Sequence, residues 1–203
     1  MPASENALKK YEIREVGEEC LYTYARIPIS FTVNSILRVK PVRGGLGGLR
    51  LVTEKVTPFE KDYDKMELEG AGPLAWAKQF DLRAWGFLLA YDQERPVGGA
   101  TIAIHTPGLH MLEGRSDLAV LWDLRVHPKR RGKGIGKLLF KHSLEWATFR
   151  GCRQMKIETQ NINVSACRFY AAMGCELGVI HRRAYHGSPE LAKEVMLLWY
   201  IDL

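Results

Sequence analysis

The sequence predicts a mixed α/β domain in which strands and helices share one hydrophobic core. Three observations support that class. Short apolar or alternating segments typical of strands recur along the chain, an amphipathic helix follows a glycine-rich bend, and 46% of the 203 residues are hydrophobic. A chain of this length and composition can bury one substantial core, so a single domain over residues 1–203 is expected.

The first half of the chain predicts mainly strands. The expected strands share an alternating or mostly apolar pattern, and they cover residues 11–16, 49–53, 85–90 and 98–105. The glycines of residues 44–48 indicate a turn before the second strand, and residues 92–95 indicate a hairpin turn between the last two. A short helix is predicted over residues 73–80. Apart from the glycine-rich turn, residues 17–48 show little periodicity.

The second half predicts strands separated by helices. A mostly apolar strand is expected over residues 120–126, and a helix over residues 135–149 follows it. Apolar positions recur along that helix at helical spacing: Ile135, Leu138, Leu139, His142, Trp146 and Phe149. Further strands are expected near residues 153–159, 176–184 and 193–201.

The bend before the long helix has the composition of an anion-binding turn. Gly132, Gly134 and Gly136 remove side chains from it, so backbone N–H groups and a helix N-terminus can approach an anion. The glycine spacing does not match a dinucleotide fingerprint. A Walker loop would need glycine in place of Arg131 and Ser or Thr in place of Leu138. The bend therefore predicts a phosphate-bearing ligand of another kind.

The residues around the bend indicate which protein family the phosphate-binding motif resembles. Arg131-x-x-Gly134-x-Gly136, behind a strand that ends in Val126-x-Pro128, resembles the pyrophosphate loop of the GNAT acetyltransferases. Members of that family bind acetyl-coenzyme A. The resemblance therefore implies acetyl-coenzyme A as the co-substrate of an acyltransferase.

A second motif downstream resembles the same family. Asn163, Ala166, Tyr170 and Gly174 follow a predicted strand at residues 156–160, with a spacing that puts them on neighbouring helical turns. Three further strings are similar to the streptothricin acetyltransferase branch: Glu158 to Tyr170, Glu145-Trp146-Ala147, and Trp199-Tyr200 near the end.

The resemblance implies a fold and a division of labour along the chain. It implies a mixed, mostly antiparallel central sheet flanked by helices and splayed between the fourth and fifth strands. It also implies a coenzyme-binding core at about residues 118–175, with the N-terminal part shaping the acceptor site. The residues implied to contact the coenzyme are Leu124, Arg125, Val126, Arg131, Gly132, Lys133, Gly134, Ile135, Gly136, Lys137, Asn163, Ala166 and Tyr170.

Acetyl transfer to an amine needs a base for the incoming ammonium and an acid for the departing thiolate. The resemblance assigns Tyr170 as the acid, although a core aromatic would show the same helical spacing. Two carboxylates remain open as the base. Glu158 ends the strand before the second motif, and Asp123 lies in the strand beside the coenzyme. Either could instead be a solvated strand residue or an ion-pair partner, for example with Arg125 or Lys156.

The acceptor is less constrained than the donor. The similarity to streptothricin acetyltransferases favours a small cationic amine or antibiotic, and a peptide or protein N-terminal amine is the alternative. A non-catalytic, coenzyme-binding regulatory module is the alternative from another functional class. The acidic run over residues 60–69 could attract a cationic acceptor or could be a solvated loop. In this family the final loop, near residues 184–188, also shapes the acceptor site.

The net charge of +6 is concentrated between residues 121 and 160, where ten basic residues face three acidic ones. Such a patch is compatible with nucleic acid. The phosphates of coenzyme A account for it without a polynucleotide, so no nucleic-acid partner is expected. No apolar run is long enough to span a membrane, and residues 1–6 lack a signal-peptide core. A cytoplasmic protein without a membrane partner is therefore expected.

The four cysteines are Cys20, Cys152, Cys167 and Cys175, and they show no metal-ligand spacing. Reduced cysteines that pack in the core are expected, with no metal. The oligomeric state is left open between a monomer and a homodimer.

Overall fold

The computed structural model describes residues 10–66 and 72–203. Its contacts divide the chain into two compact units. The first contains the described parts of residues 1–30 and 62–156, together with residues 202–203, and the second contains residues 31–61 and 157–201. None of the helices in the described ranges is long and apolar enough to cross a lipid bilayer.

Nine strands and four α-helices are present in the described residues. The strands are β1 (Tyr11–Val16), β2 (Phe31–Pro41), β3 (Leu49–Lys61), β4 (Gly86–Asp92), β5 (Arg95–Ala103), β6 (Leu118–Val126), β7 (Gln154–Gln160), β8 (Glu176–His181) and β9 (Met196–Asp202). The helices are α1 (Leu21–Ala25), α2 (Pro73–Gln79), α3 (Ile135–Phe149) and α4 (Val164–Ala172). Short 3₁₀ turns cover Glu18–Cys20, Arg43–Gly45, Tyr63–Lys65, His110–Leu112 and Pro128–Arg130.

The first unit is built on antiparallel pairs in the order β1-β4-β5-β6. An aromatic cluster packs in its core, where the Trp85 ring lies 5.4 Å from Trp122 and 6.2 Å from Trp76. Tyr24 of α1 packs edge-on against Trp76 of α2 at 5.8 Å. The two short helices are therefore held to the sheet by ring contacts.

Two adjacent glycines of β5 set how closely helices approach the faces of this sheet. An added Cβ at Gly99 would lie 2.4 Å from the Tyr24 ring of α1. An added Cβ at Gly98 would lie 3.1 Å from side-chain atoms of Ile135 and of Leu139 in α3. Successive strand residues point to opposite faces, so α1 and α3 pack on opposite faces of β5. The close packing of α3 also fixes the bend that precedes it.

A β-bulge interrupts the pairing of β5 with β6. Thr101 pairs with Asp123, but the next residue, Ile102, pairs with Leu121. Trp122 is thus the extra residue, and the bulge changes the direction of the side chains that follow it on β6. Bulges of this kind are frequent next to active sites.

The second unit contains the β2–β3 hairpin, β8 paired antiparallel with β9, and α4. Asn161, just after β7, connects these parts. Its main-chain oxygen accepts from the Leu37 N–H at 2.8 Å, and its side-chain amide donates to the Leu37 oxygen at 3.0 Å. Its side-chain oxygen accepts from the Val195 N–H at 2.8 Å. One asparagine thereby joins the hairpin to the segment that enters β9.

The predicted boundaries of β1 and α3 are confirmed, and so is the β4–β5 hairpin. Two expectations were wrong. The strand predicted over residues 49–53 continues to Lys61, where it still pairs with β2. The prediction was too short because β2 lies in the part of the sequence with little periodicity, so this pairing was not foreseen. Phe149 is 88% exposed, because the buried stripe of α3 is centred on Leu139 and the small Ser143. Small residues are easily missed when an apolar stripe is read from the sequence.

Candidate active site

The bend between β6 and α3 has the backbone expected of an anion-binding turn. Gly132 and Gly134 have φ values of +75° and +85°, a left-handed region that favours glycine. Gly134 occupies the N-cap position without a side-chain cap, and α3 begins at Ile135. The first N–H groups of a helix have no partner within the helix, so those of α3 point towards the bend. This arrangement suits a phosphate group.

Two arginine side chains, Arg130 and Arg131, connect the bend to neighbouring parts of the first unit. Arg130 forms an ion pair with the buried Asp92 of the β4–β5 hairpin at 3.0 Å. Arg131 donates to the main-chain oxygens of Val126, at 3.0 Å, and Ile29, at 3.1 Å. These contacts hold the main chain in place, and the motif alone did not indicate them. Three exposed cations remain around the bend: Lys129, Lys133 and Lys137.

Asp123 lies in a network of buried charges in the first unit. Its carboxylate accepts from Arg125 Nε and Nη2, each at 2.8 Å, and from the Tyr24 hydroxyl at 2.6 Å. Arg125 also binds Asp64, with Nη1 at 2.6 Å and Nη2 at 3.1 Å. The guanidinium donates in addition to the Ile27 oxygen and lies 4.9 Å from the Tyr24 ring centre. The ion pair with Arg125 that the sequence left open for Asp123 is therefore present.

The pKa directions in this network follow from burial and charge. Burial raises the pKa of Asp64, and the hydrogen bonds from Arg125 oppose that rise. Burial raises the pKa of Tyr24 well above its usual value, and the negative charge of Asp123 adds to the shift. For Arg125, burial lowers the pKa, but the charge and hydrogen bonds of Asp123 outweigh it and the pKa rises. Tyr24 is thus a neutral donor and Arg125 a permanent cation.

Glu158 lies in the second unit within a different kind of cluster. The Tyr185 hydroxyl donates to Glu158 Oε1 in a short hydrogen bond. Gln160 Nε2 donates to the same Glu158 oxygen at 3.1 Å and to the Tyr185 hydroxyl oxygen at 2.9 Å. Both of these donors are neutral, in contrast to the guanidinium on Asp123. The sequence predicts Tyr185 only as part of the loop near residues 184–188 that shapes the acceptor site, and its contact with Glu158 comes from the structure.

The second motif forms α4 as the spacing predicts. The Asn163 side chain caps the helix by accepting from the Ala166 N–H at 3.1 Å, which gives Asn163 a structural role. Gly174 ends the helix with φ +89°, and the Cys175 N–H donates to the main-chain oxygen of Tyr170 at 3.0 Å. Tyr170 itself is buried on this helix. Its role as an acid stays a prediction.

Comparison with known proteins identifies the family of this chain. The model of the acetyltransferase (GNAT) family matches residues 54–175, more than half of the chain. The chain belongs to this family. The matched region contains the bend, Glu158 and Tyr170, and the protein is accordingly an acyltransferase.

Two curated relatives of this acetyltransferase act on streptothricin. It is 29% identical to the Escherichia coli streptothricin acetyltransferase over 154 residues, which are 75% of this chain and 76% of the relative. It is 35% identical to streptothricin acetyltransferase A of Bacillus subtilis over 82 residues, 40% and 47% of the two chains.

Solved structures confirm the predicted fold class. A Bacillus anthracis protein named for streptothricin acetylation, solved with acetyl coenzyme A, superposes with a TM-score of 0.73 at 24% identity, covering 95% of this chain and 99% of that one. Nourseothricin acetyltransferase has the same score at 22% identity, with 95% and 98% covered. The mixed α/β class with a mostly antiparallel sheet and flanking helices is thus confirmed for this acetyltransferase. The splay between the fourth and fifth strands stays a prediction.

The remaining predicted coenzyme contacts in the first unit lie on β6 and at the start of α3. Val126 and Leu124 pair through β6 with Gly98 and Ala100 of β5, and both are half-buried. The Arg125 side chain is fully engaged in the charge network described above, so any contact it makes with coenzyme would come from its main chain. These coenzyme contacts stay predictions.

The acidic run over residues 60–69 is described only as far as Met66, so Glu67 and Glu69 lie outside the described residues. Two of the described carboxylates already bind cations. Asp64 is paired with Arg125, and Asp62 is paired with Lys65 at 3.2 Å. Their charge is partly neutralised within the protein.

The four cysteines are free and buried, as expected of residues that pack in the core. Burial raises the pKa of the Cys20 thiol to about 12 and that of Cys175 to about 11. Such thiols stay protonated and unreactive near neutral pH.

Proposed function

We propose that this acetyltransferase transfers the acetyl group of acetyl-coenzyme A to a primary amine of a small cationic acceptor of the streptothricin class. The proposal of acetyl-coenzyme A as the acetyl donor rests on the bend at Gly132 and Gly134. There a left-handed backbone leads directly into the N-terminus of α3. The acceptor class rests on the Escherichia coli streptothricin acetyltransferase, which matches three quarters of both chains.

The bend fits the diphosphate of coenzyme A. Main-chain N–H groups over residues 132–137 would donate to the phosphate oxygens, and the dipole of α3 would favour their negative charge. Lys129, Lys133 and Lys137 are exposed around the bend and add positive potential. Leu124 and Val126 would bind the pantetheine amides through their main chain, in the manner of an added strand. In the second unit, Asn163, Ala166 and Tyr170 are the proposed coenzyme contacts.

The proposed chemistry is direct attack of the amine on the thioester. A carboxylate removes the ammonium proton, through a water where needed, so that the nitrogen lone pair can form the amide bond. The carbon–sulfur bond then breaks, and Tyr170 gives its proton to the departing thiolate. The nitrogen, positively charged after the attack, loses its second proton to the Tyr170 phenolate, which restores the tyrosine, and the carboxylate releases the first proton to water. The products are the acetylated amine and coenzyme A.

Glu158 is the better base of the two carboxylates. Both carboxylate oxygens of Asp123 already accept from Arg125, and one of them also accepts from the Tyr24 hydroxyl. Asp123 is therefore occupied by structural contacts within the first unit. Glu158 instead receives hydrogen bonds from the neutral side chains of Tyr185 and Gln160.

The experiment is a thiol-release assay with acetyl-coenzyme A and a panel of amines. We expect rapid release with streptothricin, slower release with simple polyamines, and no release with peptides that have a free N-terminus and no lysine. Faster release with the peptides would replace the proposed acceptor with a peptide amine. Coenzyme binding without release for any amine would reject turnover with this panel and favour a coenzyme-binding module.

A further inference from the structure

The segment between β8 and β9, residues 182–195, contains the side chain that contacts Glu158. Tyr185 donates its hydroxyl hydrogen to Glu158 Oε1, and Gln160 Nε2 donates to the oxygens of both. The three groups thus form a closed triangle of hydrogen bonds. A carboxylate oxygen held from two directions has little freedom to rotate.

The protonation state of Tyr185 suits a donor. Burial raises its pKa above the usual value, and the negative charge of Glu158 adds to the rise. The hydroxyl therefore keeps its proton throughout the neutral range and donates it to the carboxylate. The hydrogen bond to Glu158 therefore comes from a donor that stays protonated, so it can hold the carboxylate oxygen in one orientation.

The segment that carries Tyr185 is fixed to the rest of the second unit. At its end, Glu194 forms a buried ion pair with Lys61 of β3, with 2.7 Å between Nζ and Oε1. The next residue, Val195, exchanges hydrogen bonds with Asn161, one residue beyond Gln160. Nearer its start, the Ser188 N–H donates to the main-chain oxygen of Tyr185 at 2.9 Å and closes a turn. Tyr185 therefore reaches Glu158 from a fixed main chain.

We propose that Tyr185 is a positioning residue for Glu158, which fixes and orients the carboxylate that removes the acceptor proton. The inference rests on the proposed function, because it takes Glu158 as the base. Gln160 supports the same oxygen from the strand, and Tyr185 supports it from the 182–195 segment.

The test compares Tyr185→Phe with Tyr22→Phe, which removes a hydroxyl from an exposed tyrosine of the first unit. The readouts are kcat, KM for the acceptor, the Kd of acetyl-coenzyme A, and Tm. We expect Tyr185→Phe to lower kcat about tenfold or more, as for other lost contacts to a catalytic group, while the coenzyme Kd stays within about twofold. Tyr22→Phe should match the wild type in all four.

A double variant separates positioning from a general structural role. If Tyr185 acts through Glu158, adding Tyr185→Phe to Glu158→Gln should cause no further loss of kcat, because residues that act as a unit are non-additive. Gln160→Met provides a second probe outside the 182–195 segment. It removes the hydrogen bonds of Gln160 to Glu158 and Tyr185, and its loss of kcat should likewise disappear in the Glu158→Gln background. Should Tyr185→Phe lower Tm, all rates are compared at a temperature at which every variant is folded, and the double variant then decides.

The outcomes distinguish the inference from the proposed function. A wild-type kcat in both Tyr185→Phe and Gln160→Met, with Glu158→Gln impaired, would overturn the positioning role and leave the base intact. Losses that persist in full in the Glu158→Gln background would also overturn it. If Glu158→Gln itself turns over at the wild-type rate, Glu158 is not the base, and both the assignment and the inference fail. If the wild type releases no thiol with any amine of the panel, the proposed acetyltransferase function with these acceptors is rejected instead.

Discussion

Replacement of Arg125 by methionine tests the charge network of the first unit. The Arg125 side chain is 1% exposed, and its partners Asp123 and Asp64 are 9% and 24% exposed. Methionine keeps part of the stem but removes the charge, which leaves two carboxylates without their cation. Removing one partner of a buried ion pair costs about 3–5 kcal/mol. Water can reach Asp64, and Asp123 keeps its Tyr24 hydrogen bond, so we expect the lower end, about 3 kcal/mol.

The assay is urea unfolding at pH 7, with the midpoint and slope both fitted. The control is Arg83→Met, which breaks the exposed pair with Asp81 and should leave the midpoint unchanged. An unchanged slope would show that the loss lies in stability and not in the extent of unfolding. A loss no greater than that of the control would refute the reasoning that this network stabilises the fold.

The same variant has a predictable pH dependence. Burial already raises the pKa of Asp64, and the Arg125 hydrogen bonds oppose the rise, so removing Arg125 should raise it further. A carboxyl whose folded-state pKa is raised contributes stability below its unfolded pKa, about 3.9, and loses that contribution as the pH rises through the folded value. The deficit of Arg125→Met should therefore be largest at pH 7 and shrink as the pH falls through the folded pKa towards the unfolded one. A deficit that grows on acidification would contradict this sign.

Three further predictions concern the reacting groups and the packing of α3 against the sheet. Tyr170→Phe should lower kcat about tenfold or more and leave the acetyl-coenzyme A Kd nearly unchanged, and a wild-type rate would reject Tyr170 as the acid. Glu158→Gln should lower kcat about a hundredfold. Asp123→Asn should mainly lower Tm, and the reverse ranking of these two variants in kcat would make Asp123 the base. Gly86→Ala places a Cβ 2.4 Å from the Trp146 ring and should cost about 1–3 kcal/mol in urea unfolding. Gly187→Ala, with open space around its Cβ, should cost nothing measurable.

The parts of the fold that the sequence predicted are those in which local pattern and packing agree. The helix over 135–149 combines a helical apolar stripe with a glycine N-cap, and its observed bounds are the predicted ones. The β2–β3 hairpin was only partly predicted. Its strands mix polar, charged and apolar residues without a strict alternation and are mostly exposed or half-buried, so no single buried face marks them in the sequence. Its position depends on Asn161, which is distant in sequence.

The candidate site shows the same division. The bend was predicted because glycine at a left-handed position is a local requirement that appears directly in the sequence. The arginine contacts behind it, from Arg130 to Asp92 and from Arg131 to Ile29, join residues that are far apart along the chain. The contact of Tyr185 with Glu158 spans 27 positions. A spacing rule cannot indicate such pairs, because they depend on how strands and loops come together.

The most direct test of the central claim is a crystal structure of the enzyme with acetyl-coenzyme A. We expect the diphosphate oxygens at about 2.7–3.2 Å from main-chain nitrogens within residues 132–137, the range of ordinary hydrogen bonds. A diphosphate held elsewhere on the protein, with no phosphate at the main-chain N–H groups of the bend, would contradict the assignment of this bend as the coenzyme cradle.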